Sequence, residues 1–234
     1  MKLLKISCVA LVCGVMLFGE TGCKTWTNTG KGAAIGGGSG AAVGAGIGAL
    51  IGGGKGAAIG SAIGAAVGTG AGVLIGQKMD RQQRELQQQL AQQATVEETT
   101  DANGLRAIKV TFEGGILFPT GKSTLNPQAQ ADLTRFATSL NSNPNTNVQI
   151  FGFTDNTGSF QANERVATSR ADAVMSYLVN KGVSPTRLSA QGVPMADYVA
   201  TNDTPEGRAQ NRRVEIYITA DQEMIRQAEA GTLK

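Results

Sequence analysis

The chain contains no histidine, and this absence excludes several chemistries at once. A serine or cysteine nucleophile has no histidine base, and no metal ion can be held by imidazole ligands. Cysteine is also scarce, because Cys8, Cys13 and Cys23 all lie at the extreme N-terminus, so no disulfide can form within the later part of the chain. The sequence therefore predicts a protein that is not an enzyme of these classes and that has no cofactor.

The chain also lacks a strong charge of either sign. Its 21 basic and 18 acidic residues leave a net charge of +3 without a basic cluster, which argues against nucleic acid as a partner. Aromatic residues make up only 5 %, whereas 32 residues are glycine. This composition indicates one compact domain that follows an unusual N-terminal half.

The first residues have the pattern of a secretory signal peptide. Lys2 and Lys5 precede an apolar run over 6–18, which is long enough for a signal peptide and short for a membrane span. Residues 1–22 are therefore predicted to be removed. Gly22 followed by Cys23 resembles a bacterial lipoprotein cleavage site, which implies lipidation of Cys23 and a lipid-anchored N-terminus over 23–30. Glu20 fits that site badly, so ordinary cleavage and a retained anchor are the alternatives.

The residue after the cysteine bears on the expected location. Lys24 is not the aspartate that retains lipoproteins in the inner membrane of enteric bacteria. By this resemblance the anchor is expected in lipid of the cell outer membrane, with the C-terminal domain in the periplasm.

A strict glycine ladder occupies residues 31–76. Glycine recurs at every fourth position from Gly32 to Gly76, and the gaps are filled mainly by alanine, isoleucine, valine and leucine. A flexible linker is one interpretation, but such linkers are usually rich in serine and charge. Small residues four apart line one helix face and let helices approach closely, which favours a glycine-zipper helical hairpin that associates with a membrane and forms homo-oligomers.

The remaining chain divides into three parts. A glutamine-rich helical stalk followed by a flexible hinge is predicted over 77–104. A folded domain of the α+β class, with a small mixed sheet packed on helices, is predicted over 105–220, and a tail over 221–234. Within the domain, hydrophobic patterning and turn residues predict four strands and two helices, namely strands at 106–112, 148–153, 187–191 and 212–219, and helices at 127–140 and 160–181.

One pair of charged residues in this domain indicates a binding site. Asp155 follows the strand that ends at Phe153, and Arg170 lies near the middle of the apolar stripe of the next helix. A guanidinium in that position needs a carboxylate partner because it cannot lose its charge. The pair forms an internal salt bridge, or it opens into a cleft where Arg170 binds a ligand carboxylate and Asp155 a ligand ammonium, and the two arrangements are not exclusive.

These residues also carry a family resemblance. From about 105 to 220 the chain resembles the OmpA-like peptidoglycan-binding domain, which peptidoglycan-associated lipoproteins and flagellar stator proteins share. The matching motifs are Gly152-Phe153-Thr154-Asp155 with Gly158, Asn163, Arg170-Ala171, and the segment 204–216 (TPEGRAQNRRVEI). Phe153 stands where the family usually has histidine, and the loop over 192–203 also departs from the family pattern.

The resemblance implies a ligand and its binding residues. Asp155 and Arg170 match the family residues that bind the ammonium and carboxylate of diaminopimelate in the peptidoglycan stem peptide. Four further residues are expected to contribute, namely Thr157, Asn163, Arg212 and Arg213, with Arg213 ranked above Arg212.

Three functions from different classes follow. The leading one is a non-catalytic module that binds peptidoglycan and tethers the outer membrane to the cell wall. The second is a glycine-zipper oligomer or envelope assembly factor that wall binding positions. An envelope hydrolase is the third, and it is disfavoured because the sequence shows no nucleophile with its base and no spaced pair of carboxylates.

Overall fold

The computed structural model describes residues 69–101, 103–119 and 121–234. The expected signal peptide, the lipidation site at Cys23 and the glycine ladder up to residue 68 therefore lie outside the described residues. No helix within the described ranges is long and apolar enough to cross a membrane.

Six helices and five strands make up the described part of the chain. In chain order they are α1 (Thr69–Leu90), β1 (Thr95–Thr100), β2 (Arg106–Glu113), α2 (Gly114–Leu117), α3 (Pro127–Ser142), β3 (Thr146–Phe153), α4 (Phe160–Asn180), a 3-10 turn (Pro185–Arg187), β4 (Leu188–Val193), α5 (Pro205–Asn211), β5 (Arg213–Ala220) and α6 (Gln222–Glu229). Four of the helices begin at a capping side chain that accepts a backbone N–H of the first turn, namely α3 at Asn126, α4 at Ser159, α5 at Thr204 and α6 at Asp221.

The strands form one mixed sheet in the order β1-β2-β5-β3-β4. All neighbours are antiparallel except β3 and β4, which α4 connects as a parallel pair. Along β5 the side chains alternate, so that Val214, Ile216 and Ile218 enter the main core with residues of α1, α3, α4 and α6. The predicted α+β class, with a small mixed sheet packed on helices, is confirmed.

Two glycines let α4 lie unusually close to the sheet. A Cβ atom on Gly152 would lie 2.3 Å from the carbonyl oxygen of Ala167, and one on Gly192 would lie 2.5 Å from Oγ1 of Thr168. Any side chain at these positions would push the helix away from the carboxyl ends of β3 and β4. The glycines thereby determine where Arg170, less than one turn further along α4, meets the end of the sheet.

The segment 77–104 differs from its prediction as a stalk and hinge. It is helical to Leu90, but α1 does not stand free, because Ile75, Met79, Leu86 and Leu90 are fully buried in the domain core. Thr95–Thr100 is an edge strand paired with β2, so the expected hinge is part of the sheet. The stalk and hinge are not free because the few apolar residues of α1 share one face that packs on the domain, and the β-branched residues of TVEETT favour a strand.

The expected tail over 221–234 also contributes to the core. Asp221 caps α6 by accepting the N–H of Met224, and Met224, Ile225 and Ala228 are buried. The folded unit therefore begins before residue 105 and extends beyond residue 220.

Candidate functional site

Asp155 lies two residues beyond the end of β3 and is buried. Its Oδ1 accepts the backbone N–H of Thr157 at 2.8 Å, and its Oδ2 accepts Nη1 of Arg212 at 2.6 Å. Burial alone raises the pKa of this carboxyl, but the hydrogen bonds from Arg212 and Thr157 outweigh it and hold the pKa below its ordinary value. Asp155 is therefore ionised at neutral pH.

Arg170 presents a buried guanidinium without an anionic partner. The residue is only 5 % exposed. Its Nε donates to the carbonyl oxygen of Lys122 at 3.3 Å, and its guanidinium lies 5.3 Å from the ring centre of Phe118. Within the described ranges it forms no ion pair with a carboxylate.

The electrostatics around Arg170 fit this picture. Burial is the main cause that lowers the pKa of Arg170, and the positive charge of Arg212 lowers it further. The negative charge of Asp155 raises this pKa. Asp155 thus lies close enough for its charge to act on Arg170, but its hydrogen bonds go to Arg212 and Thr157. The alternative of an internal Asp155–Arg170 salt bridge is wrong, since the salt bridge of Asp155 is made by Arg212.

Asn163 and Thr157 shape the loop beside this pair. The side-chain amide of Asn163, on the first turn of α4, donates to the carbonyl oxygens of Thr157 at 2.8 Å and Ser159 at 3.1 Å. Thr157 is exposed and holds Asp155 through its N–H, and Gly158 has a φ of 91°, which favours glycine. These contacts give Asn163 and Thr157 a role in holding the 155–159 loop in shape.

Arg213 lies in a different environment from its neighbour Arg212. It is buried on the sheet face opposite the main core, where its Nε donates to Oε1 of Glu215 at 2.6 Å. Its guanidinium lies 3.9 Å from the ring centre of Phe153, the residue that replaces the usual histidine. Arg212 contacts Asp155 and is 41 % exposed. Arg213 is thus held by contacts within the fold, whereas Arg212 lies beside Asp155 at the candidate site, and their ranking as binding residues stays a prediction.

Sequence reasoning missed several residues that support the site. Asn211 is fully buried, and its side-chain amide accepts the N–H groups of Val199 and Ala200 and donates to Ala200 and Asn202. These bonds hold the loop between β4 and α5 against the start of β5. Asn211 could have been noticed in the sequence, because it directly precedes the two arginines. The contact of Arg170 with Lys122 could not, because it is made by a backbone carbonyl that every residue has.

The assembled site combines one ionised carboxylate with two guanidinium groups. Among the described residues there is no cluster of potential metal ligands. The arrangement suits binding of a ligand that carries both an ammonium and a carboxylate.

The fold and this site define the class of an OmpA-like α+β domain. Residues 117–212 match the OmpA family, and residues 1–80 match the YMGG-like Gly-zipper family. The chain is therefore similar to the OmpA family and to the YMGG-like Gly-zipper family over these residues, and the predicted resemblance is confirmed.

Known proteins share the C-terminal half in particular. The chain is 39 % identical over 112 residues to "Probable lipoprotein YiaD" of Escherichia coli (strain K12), which covers 48 % of this chain and 51 % of that protein. It is 40 % identical over 112 residues to "Peptidoglycan-binding protein ArfA" of Mycobacterium tuberculosis (strain ATCC 25618 / H37Rv), covering 48 % of this chain and 34 % of the relative. The chain thus spans about half the length of one relative and a third of the other.

Solved structures share the fold over a longer part of the chain. A MotB-like protein from Desulfovibrio vulgaris matches with a TM-score of 0.54 and 25 % identity, over 64 % of this chain and 96 % of the other. The cell wall anchor of the T6SS from Pseudomonas aeruginosa matches with a TM-score of 0.51 and 30 % identity, over 58 % and 97 %.

Proposed function

We propose that this protein binds peptidoglycan without catalysis, by holding the diaminopimelate residue of the stem peptide. The observation that carries the proposal is Arg170, a buried guanidinium that pairs with no carboxylate among the described residues and lies within the electrostatic reach of Asp155. A buried charge without a counter-ion is costly, so an arriving carboxylate gains a strong, charge-assisted partner.

The two poles of the site match the free end of the ligand. Diaminopimelate in a stem peptide presents an ammonium and a carboxylate on one stereocentre. The ammonium would donate to Asp155, which retains acceptor capacity beside Arg212, and the carboxylate would bind Arg170. The name of the ArfA relative, a peptidoglycan-binding protein, supports this ligand class.

We also propose that the protein is anchored in the outer membrane through a lipidated Cys23 and tethers that membrane to the cell wall. The lipoprotein YiaD and the Gly-zipper match over residues 1–80 support a membrane-associated N-terminus. Mass spectrometry of the mature N-terminus tests whether Cys23 is lipidated. A mature chain that begins at an unmodified residue other than Cys23 would contradict the lipid anchor.

A pull-down of the full chain on purified peptidoglycan tests the binding site. Asp155→Asn and Arg170→Gln should each weaken binding by more than tenfold, because removing one member of a desolvated charge pair costs about 2 to 5 kcal/mol. The matched control is Glu223→Gln, which removes a carboxylate from an exposed ion pair with Arg226 on α6 and should leave binding unchanged.

The folded state of the variants separates binding from stability. Arg170→Lys keeps the positive charge and serves as a second variant in case Arg170→Gln unfolds. If Asp155→Asn and a folded Arg170 variant sediment with peptidoglycan as well as the unsubstituted protein does, the site assignment is wrong.

The alternative function is a glycine-zipper oligomer that wall binding positions. The match of residues 1–80 to the YMGG-like Gly-zipper family favours it. Oligomers that persist after peptidoglycan binding is abolished, and that alter membrane permeability, would make assembly the main function and tethering a secondary one.

A further inference from the structure

The site contains more positive charge than a simple zwitterion requires. Asp155 supplies one negative charge, while Arg170 and Arg212 supply two positive ones. A ligand end with one ammonium and one carboxylate would leave one guanidinium without an anion. The charge of the site is balanced only by a ligand that carries one more carboxylate than ammonium groups.

Arg212 has the properties of a second carboxylate-binding group. A guanidinium has five N–H donors, and Arg212 uses one side-chain hydrogen bond, from Nη1 to Oδ2 of Asp155. With 41 % of its side chain exposed, it has donors available at the mouth of the site. Its backbone is well held, because its N–H donates to Arg208 at the end of α5 and its carbonyl accepts the N–H of Gly114 at 2.6 Å.

The close packing around this backbone keeps Arg212 in place. A Cβ atom on Gly114 would lie only 2.4 Å from the carbonyl oxygen of Arg212, so α2 is pressed directly against it. The backbone of Arg212 is therefore held in place beside Asp155, so only its side chain needs to move when a ligand binds.

We propose that Arg212 binds a second ligand carboxylate, so that the site prefers stem peptides that end at diaminopimelate. In such a peptide the residue carries two carboxylates and one ammonium, which match Arg170, Arg212 and Asp155. When a further residue is attached, one of these carboxylates becomes an amide, and the new terminal carboxylate lies one residue away from diaminopimelate. This inference rests on the proposed function, because it names which form of the stem peptide the same site selects.

Calorimetric titration of the full chain with two synthetic stem peptides tests the inference. One is the tripeptide that ends at diaminopimelate, and the other is the tetrapeptide that continues with D-alanine amide, in which no new terminal carboxylate replaces the lost one. The unsubstituted protein should bind the tripeptide about tenfold more tightly, as expected for one additional charge-assisted contact. Arg212→Gln should remove this preference by weakening tripeptide binding, while tetrapeptide binding stays within about twofold.

Two further variants make the result specific. Arg212→Lys keeps the charge but loses the guanidinium fork, so it should retain part of the preference. Arg226→Gln is the matched control, because Arg226 is also an exposed arginine paired with a carboxylate, and the preference should be unchanged.

The possible outcomes distinguish this inference from the proposed function. Equal affinity of the unsubstituted protein for both peptides overturns the preference alone and leaves diaminopimelate binding intact. Equal weakening of both peptides by Arg212→Gln shows that Arg212 only positions Asp155 and also overturns it. Binding of neither peptide overturns the inference together with the proposed function.

Discussion

At the scale of single residues, Arg212 and Arg213 are adjacent in the sequence but have different surroundings in the fold. Arg212 follows the last residue of α5, and Arg213 begins β5. Because side chains alternate along a strand, Arg213 shares its face with Glu215 and Tyr217 and joins a buried network there. Arg212 precedes the strand and lies against Asp155. Two adjacent arginines in a sequence motif therefore lie in different environments.

The buried network on that face should be important for stability. Glu215 accepts Nε of Arg213 and the hydroxyl of Tyr217, and it lies 3.7 Å from Nζ of Lys109. Glu215→Gln removes the carboxylate that pairs with the buried Arg213, which should lower the free energy of unfolding by about 3 to 5 kcal/mol. Urea denaturation measures this loss.

The exposed pair on α6 provides the contrast. Glu223→Gln breaks an ion pair with Arg226 that is open to solvent, so the denaturation midpoint should not move measurably. A similar midpoint for both variants would mean that the Glu215 network contributes no more than a surface ion pair.

At the scale of elements, α1 holds the end of the glycine ladder and the start of the folded domain in one helix. The last rungs of the ladder, Gly72 and Gly76, lie within α1, and the same helix then buries Met79 and Leu86 in the core. Its ion pair from Asp80 to Arg106 links it to the first residue of β2. The Gly-zipper match, which extends to residue 80, thus continues into a helix that packs on the domain.

Leu86→Ala tests whether α1 is part of the domain core. Leu86 is fully buried, and leucine-to-alanine changes at such positions cost about 3 to 5 kcal/mol through lost burial and the cavity that remains. The whole domain should therefore unfold at lower denaturant in a single transition. Val73→Ala, on the exposed side of the same helix, is the control and should change the midpoint little.

The denaturation midpoint measured by circular dichroism, which reports the helices, should equal the midpoint measured by a separate probe of the sheet. If Leu86→Ala melts α1 alone and the sheet unfolds as before, the helix is a separate stalk and its packing is not part of the cooperative unit.

At the scale of the whole molecule, the glycine ladder should drive self-association. Small residues at every fourth position allow close helix packing, so Gly44→Leu and Gly64→Leu should separate the helices and weaken assembly. Chemical cross-linking in detergent measures this, and the fraction of cross-linked oligomer is expected to fall several-fold. Both positions lie outside the described residues, so this remains a proposal from the sequence.

Ser61→Leu is the matched control, since residue 61 lies between rungs and off the glycine stripe. If Gly44→Leu and Gly64→Leu form oligomers as well as Ser61→Leu does, the result would favour the flexible-linker interpretation.

The sequence by itself was sufficient for the α+β class and most strand positions, and it singled out Asp155 and Arg170 as candidate binding residues. These features depend on local information, because hydrophobic periodicity identifies strands and helices. Asp155 follows the end of β3, and Arg170 interrupts the apolar stripe of α4. Arg170 was recognisable because a charge in an apolar stripe requires a partner.

Only the tertiary structure decided which partner each charge has. The salt bridge of Asp155 to Arg212 joins residues from distant parts of the chain, and the burial of Arg213 depends on which face of β5 is covered. The packing of α1, β1 and α6 was likewise invisible, because their apolar residues are too few to indicate burial until the rest of the core is assembled. Long-range contacts are a property of the whole fold, and local patterns do not encode them.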